Sequence, residues 1–250
     1  MTVRDKFAPF AYVPAELRGQ PAIVLVPGTP RDRTPALGSV DGIRIEGRAT
    51  LRDDGSAAVE MVQSFAGKVG ITMRNVLDKV AGAQLHDFVE SRLLGRNLPG
   101  ARLHDLKIEN KDELSRPLTL RLTAEASQLA RVEGQHLVIK ALFPMHLAQL
   151  AGLPSRQTPL LLGASSHVDV KFEIVLPESM RMPASLPDGE LHDGERVVVV
   201  KDAIHGHAIL LERSVDIPAG RVRPGAEYAQ FGHFVQEADA LLERDIAIGR

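Results

Sequence analysis

Nine histidines stand among 32 acidic residues in this 250-residue chain, a stock of side chains able to hold a metal ion or move protons. The tightest grouping is His205-Gly206-His207. Its two imidazoles share a face if the segment is extended, and Asp202 lies close enough in sequence to add an oxygen. Two imidazoles do not complete a site, because protein zinc sites need at least three protein ligands. The same residues also suit the apex of a hairpin, with Gly206 serving the turn. A metal-binding reading and a turn reading therefore both stand for His205 and His207.

The remaining candidates are weaker. His192 and Asp193 fall with Asp188 and Glu190 in a turn-rich stretch, giving a small acidic cluster able to chelate a hard cation loosely. Its spacing departs from the calcium-loop pattern, in which oxygen ligands alternate through twelve residues with glycine at the sixth, so a solvated loop is expected. His86-Asp87 and His104-Asp105 are adjacent pairs, and neighbours on a helix or strand point apart. Gly163-Ala164-Ser165-Ser166-His167 is the nearest approach to a serine-nucleophile turn, but it lacks the second glycine and leads into a strand. Pro27-Gly28-Thr29-Pro30 lacks the lysine and the glycine spacing of a phosphate loop, and its prolines remove backbone donors. Arg18, Arg31 and Arg33 make this region mildly basic, offset by Glu16 and Asp32.

Composition excludes further classes. With no cysteine, the chain has no thiol nucleophile, thiolate metal site, iron–sulfur cluster or disulfide. A net charge of −2 gives no field to collect phosphates. Eight Phe, two Tyr and no Trp leave few stacking platforms, so nucleic acid is not an expected partner. The longest apolar runs, such as Ile23 to Val26 and Val197 to Val200, are strand-sized, far below the ~20 residues of a membrane helix. Met1 to Lys6 shows no apolar signal core. No cofactor and no catalytic, cofactor-binding or metal residue is assigned with these patterns.

The elements that would position these residues are mostly strands. Residues 1–40 read as an extended, proline-rich arm, interrupted by Pro9, Pro14, Pro21, Pro27, Pro30 and Pro35. Ile43, Ile45, Ala49 and Leu51 alternate with Arg44, Glu46, Arg48 and Thr50, the turn Asp53-Asp54-Gly55-Ser56 follows, and Ala57 to Phe65 returns as a second strand. Helical spacing runs from Lys68 to Leu94, divided at Gly82. Further strands are predicted over Leu103 to Glu109, Leu118 to Glu125 and His136 to Ala141, with a short helix over Met145 to Ala151. The stripe Val168, Val170, Phe172, Ile174 and Leu176 predicts a strand in an antiparallel sheet with one wet face. A last hairpin, Arg196 to Lys201 and His207 to Ile217, precedes a helix over 224–243. That helix either covers its own sheet or offers Phe231, Phe234 and Leu241 to a partner. The expected fold is mainly β (α+β): an antiparallel β-sandwich over 41–250, with an inserted helical segment near 68–94 and a C-terminal helix.

The order of short segments carries one more signal. It begins with Phe7-Ala8-Pro9-Phe10 and Val13-Pro14-Ala15-Glu16-Leu17-Arg18-Gly19-Gln20-Pro21-Ala22. It continues through Thr34-Pro35, Asp54-Gly55-Ser56-Ala57, the glycine-led helix through Arg74, Arg116-Pro117-Leu118, and Arg156 before Pro159-Leu160. It closes with Ile174-Val175-Leu176-Pro177 and Glu227-Tyr228 before Phe231 and Phe234. This order resembles the region after the catalytic core in bacterial transglutaminase-like proteins carrying the DUF3857 and DUF3858 domains. Each motif is short, and the likeness runs over nearly the whole chain. In that family catalysis is attributed to a Cys, a His and an Asp of the core, none of which maps onto a position here. The resemblance implies a non-catalytic accessory β-sandwich module that binds protein or supports an adjacent transglutaminase-like domain, in a bacterial periplasmic or extracellular setting. The alternative is an independent metal- or ligand-binding domain, or a hydrolase, using histidines such as His205 and His207.

Overall fold

Strict alternation of apolar and polar side chains builds the first hairpin. In β3 (Gly42–Leu51) Ile45, Ala49 and Leu51 are buried while Arg44, Glu46, Arg48 and Thr50 are exposed, and β4 (Ala57–Ala66) repeats the pattern through Val59, Met61 and Phe65. The two pair antiparallel along their full length. The computed structural model describes residues 5–10, 12–23, 32–35, 41–95, 98, 100–140 and 142–249. Within the arm, β1 (Pro21–Ala22) and β2 (Asp32–Arg33) form a two-stranded ladder. The predicted run Ile23 to Val26 lies mostly outside the described residues, as do Pro27 to Pro30 and Arg31.

After β4 the period changes to helical, giving α1 (Gly67–Lys79), α2 (Ala83–Phe88) and a π-helical turn (Val89–Leu94), with the expected break at Gly82. Next come β5 (Ala101–Glu109), β6 (Leu118–Ala126), β7 (Ala130–Glu133) and β8 (His136–Ile139), a 3-10 helix (Leu147–Ala151), then β9 (Leu160–Leu162) and β10 (Ser166–Val175). The chain ends with β11 (Asp188–Asp193), β12 (Arg196–Lys201), β13 (Ala203–His205), β14 (Ala208–Ile217), β15 (Gly220–Val222), α3 (Ala226–Leu242) and β16 (Ile246–Gly249).

The main sheet runs β11-β12-β14-β10-β3-β4-β6-β5, with β13 also on β14. Its centre corrects one expectation: β10 pairs antiparallel with β14 but parallel with β3, Val168 opposite Ile43 and Ile174 opposite Ala49. At this seam Phe172 stands opposite Gly47, and its ring fills the space a side chain at Gly47 would need, only 2.3 Å from where a Cβ would sit. One face of the sheet is apolar and covered. α1 lies over β3, β4 and β6, the π-helical turn over β5, and α3 over β11 and β12, where it also meets the 3-10 helix and β15. The small sheet β16-β8-β7 contributes Leu137, Ile139, Ile246 and Ile248 to the same core. Each fully buried residue of this kind contributes about 1.5–3 kcal/mol relative to exposure. The result is a mainly β, sandwich-like α+β fold.

The sequence reading of 188–193 as a loop is also corrected. This segment is an edge strand paired with β12 from Asp188–Lys201 to Asp193–Arg196. Its inward positions are Gly189, Leu191 and Asp193, so a single large apolar side chain betrays it, and Gly189 accepts Leu241 against its backbone. α3 buries Tyr228, Phe231, Phe234, Val235, Ala238 and Leu242 beneath its own fold, with Leu241 half-buried. The arm is fastened to α1: Phe7 is buried, Lys6 Nζ lies 2.9 Å from Asp78, and Asn75 donates to Asp5 at 2.9 Å.

Candidate functional site

The second face of the main sheet is exposed and densely charged. Outward positions of β3, β4, β6, β10 and β14 carry Arg44, Glu46, Arg48, Glu60, Arg121, Lys171, Glu173 and Glu212. On β5 the register shifts between Leu103 and Asp105, which turns Lys107 and Glu109 onto the same face. Ion pairs knit it: Arg48–Glu173 at 3.2 Å, Lys171–Glu212 at 2.7 Å, Arg121–Glu109 at 3.1 Å and Arg44–Glu46 at 3.0 Å. Exposed pairs of this kind add little to stability. Three shallow depressions of about 500, 610 and 460 Å³ lie on this face, lined around Arg121, Lys171 and His104 respectively.

The candidates from sequence do not converge. Gly206 sits at the hairpin apex between β13 and β14 with φ +60°, which fits the turn reading. His205 is exposed, and His207 lies with Nε2 2.8 Å from the Pro177 carbonyl oxygen. Asp202, the proposed third donor, points the other way. Its side chain is wholly buried against Arg213, whose Nε lies 3.3 Å from Oδ1 and whose Nη2 bonds Oδ2, while Nη1 donates to the Leu242 carbonyl. Burial pushes the Asp202 carboxyl above its ordinary range, and the Arg213 guanidinium pulls it back.

His192 meets Glu190 at 2.6 Å on the exposed side of β11, while Asp193 turns inward to Arg196 and accepts from Gln230 at 2.6 Å. His86 Nε2 lies 3.2 Å from the Leu103 carbonyl, and the Asp87 carbonyl accepts from Ser91 at 2.6 Å. His104 occupies the irregularity of β5 and Asp105 faces the charged surface. His167 is flanked by Asp169 at 2.9 Å and Asp216 at 3.8 Å, and among the described residues no hydrogen bond joins it to Ser165 or Ser166. Arg33 donates to the Gly19 carbonyl at 2.8 Å, so the described part of the basic arm closes on itself.

Three polar clusters escaped the sequence reading. Asp41, wholly buried, accepts from the Lys68 backbone N–H at 2.7 Å and the Tyr12 hydroxyl at 3.1 Å, with Arg18 at 3.5 Å. It thereby closes the first turn of α1 and fixes the arm. Burial, reinforced by the Asp41 charge, pushes the Tyr12 hydroxyl well above its ordinary value of 10.0. Arg74, on α1, donates to the carbonyls of Asn110, Lys111, Glu113 and Arg116 and so clamps the loop between β5 and β6. Burial lowers its pKa, opposed by nearby Asp112.

The third cluster has metal-ligating chemistry. His146, Asp239 and Glu243 each place one ligand atom within 4.8 Å of the others, and His146 Nδ1 contacts Glu243 Oε1. Asp239 Oδ1 and Oδ2 accept the Leu147 and Ala148 backbone N–H groups at 2.6 and 2.8 Å. The i, i+4 spacing of Asp239 and Glu243 on a helix is a visible signal, but nothing local points to a histidine 97 residues before Glu243.

No protein-family model matches the chain, and no curated protein matches it in sequence. Among the described residues, no helix is long and apolar enough to cross a membrane.

Proposed function

We propose that this chain is a non-catalytic accessory module that binds protein, supporting an adjacent transglutaminase-like domain or another partner. The observation that carries the reading is the broad, ion-paired outer face of the main sheet, which offers Arg44, Arg48, Arg121 and Lys171 to a partner with no reacting group among them. Arginine is enriched at the energetic centres of protein interfaces, and a mixed-sign surface selects a partner by matched charge rather than by net field. The ordered resemblance to the post-catalytic region of transglutaminase-like proteins supports the same reading and suggests the partner class. It also favours a bacterial envelope or extracellular setting.

The test co-expresses the chain with the polypeptide encoded immediately upstream in its gene and measures association by sedimentation. The upstream segment is expected to contain a Cys-His-Asp core and to bind the chain. Exchanging Arg48, Arg121 and Lys171 for Glu is expected to weaken association while leaving the melting temperature within a few degrees. The purified chain alone is expected to release no amine and form no isopeptide bond on glutamine-containing peptides. Turnover that follows the pure protein through chromatography would overturn the proposal, as would an upstream segment without such a core together with no association.

A further inference from the structure

We infer that His146, Asp239 and Glu243 form a binding site for a divalent transition metal of the zinc class, holding the chain before the 3-10 helix to the end of α3. This inference is independent of the protein-binding role proposed above. Asp239 in the last turn of α3 and Glu243, the residue that follows the helix, are four apart in sequence, and His146 reaches them from the residue preceding Leu147. Their ligand atoms lie within 4.8 Å of one another. Metal–ligand bonds of about 2.0–2.2 Å hold such atoms about 3.0–3.5 Å apart, so an ion would draw the His146 and Glu243 atoms, which touch each other here, apart from one another and toward Asp239, and both of those side chains are exposed.

Two further features favour an ion. The carboxylate of Asp239 is held by the Leu147 and Ala148 N–H groups, one on each oxygen, and each oxygen retains a lone pair. Outer-shell hydrogen bonds of this kind orient a ligating carboxylate. The second feature is electrostatic. The last turn of α3 contains no basic residue, so the negative end of the helix dipole meets the carboxylates of Asp239 and Glu243. Arg213 reaches the Leu242 carbonyl, but its guanidinium is turned inward and held by Asp202. A cation between His146 and the two carboxylates completes this helix end.

One imidazole with two carboxylates selects zinc-class ions over calcium or magnesium, which prefer all-oxygen shells. Three protein ligands leave the fourth position to water.

The test titrates Zn²⁺ into the metal-stripped chain by calorimetry, alongside His146→Ala, Glu243→Gln and a His205→Ala/His207→Ala control. One ion per chain is expected, with a Kd on the order of micromolar. Each of the two site variants is expected to weaken binding about tenfold or more, and the control to match the parent. Zn²⁺ is expected to raise the melting temperature of the parent and the control but not of the site variants, whose metal-free melts report that the fold is intact. Asp239 is left unchanged because it also caps the 3-10 helix. Absence of saturable Zn²⁺ binding, undiminished affinity in both site variants, or loss of binding in the control would overturn the assignment.

Discussion

The main sheet joins two antiparallel halves, β3-β4-β6-β5 from the first part of the chain and β10-β14-β12-β11, with β13 on β14, from the second, and each half buries one arginine differently. Arg74 sits under the first half with four backbone carbonyls as partners. Arg213 sits under the second with the Asp202 carboxylate and the Leu242 carbonyl. Both guanidiniums are satisfied, yet the consequences of losing them differ. The carbonyls around Arg74 belong to exposed or half-buried loop residues, where water can replace the lost donors. Asp202 has no such access, and removal of Arg213 strands a charge in the interior.

The largest effect is therefore expected from Arg213→Met, a loss of about 3–5 kcal/mol in urea denaturation. The double variant Arg213→Met/Asp202→Leu is expected to recover much of it, since the stranded charge goes too. Arg74→Met is expected to cost less, about 2 kcal/mol, with the β5–β6 loop gaining hydrogen-exchange rate. A larger loss for Arg74 than for Arg213 would overturn the contrast between the halves. At the seam between them, Gly47→Ala is expected to cost about 1–3 kcal/mol, because the Phe172 ring and the Glu60 carbonyl occupy the space around it.

Smaller effects come from the arm. Tyr12→Phe is expected to cost about 1 kcal/mol at neutral pH. Because the folded hydroxyl titrates above its ordinary value of 10.0, its contribution is complete below pH 10 and is lost as the pH rises through that value toward the folded one. The parent is therefore expected to lose stability more steeply than Tyr12→Phe in alkaline denaturation series. Least of all, Lys6→Met is expected to change neutral stability within error. The Lys6 hydrogen bond holds Asp78 below 3.8, so the pair favours the fold above that value and loses its effect as the pH falls through the depressed one. Lys6→Met is expected to flatten acid denaturation slightly.

Much of this architecture was legible because alternation and helical spacing are local. Ile43 to Leu51, Val168 to Ile174 and the Phe231 to Leu242 face each declare a buried side within one short window. β11 was not legible, because an edge strand with Gly189 and Asp193 at inward positions has the composition of a turn. The partner of β10 was not legible either: a strand's stripe fixes which face is buried, and the neighbour across the ladder comes from more than a hundred residues away. The same limit hid the His146 cluster and the burial of Asp202. The spacing of Asp202 from His205 and His207 suggested a shared site, whereas the fold turned Asp202 inward onto Arg213.

The parallel seam also bears on how the chain folds. Within each half the ladders join segments near in sequence, whereas β3 and β10 meet only after a very long loop closes. Contacts of that separation form late and slowly, so a refolding experiment is expected to show the two halves ordering before they meet. Until then β3 and β10 are unpaired edges, able to recruit the wrong strand from another molecule. Concentration dependence of refolding yield would then report the seam, and Gly47 with Phe172 would be the pair that sets it.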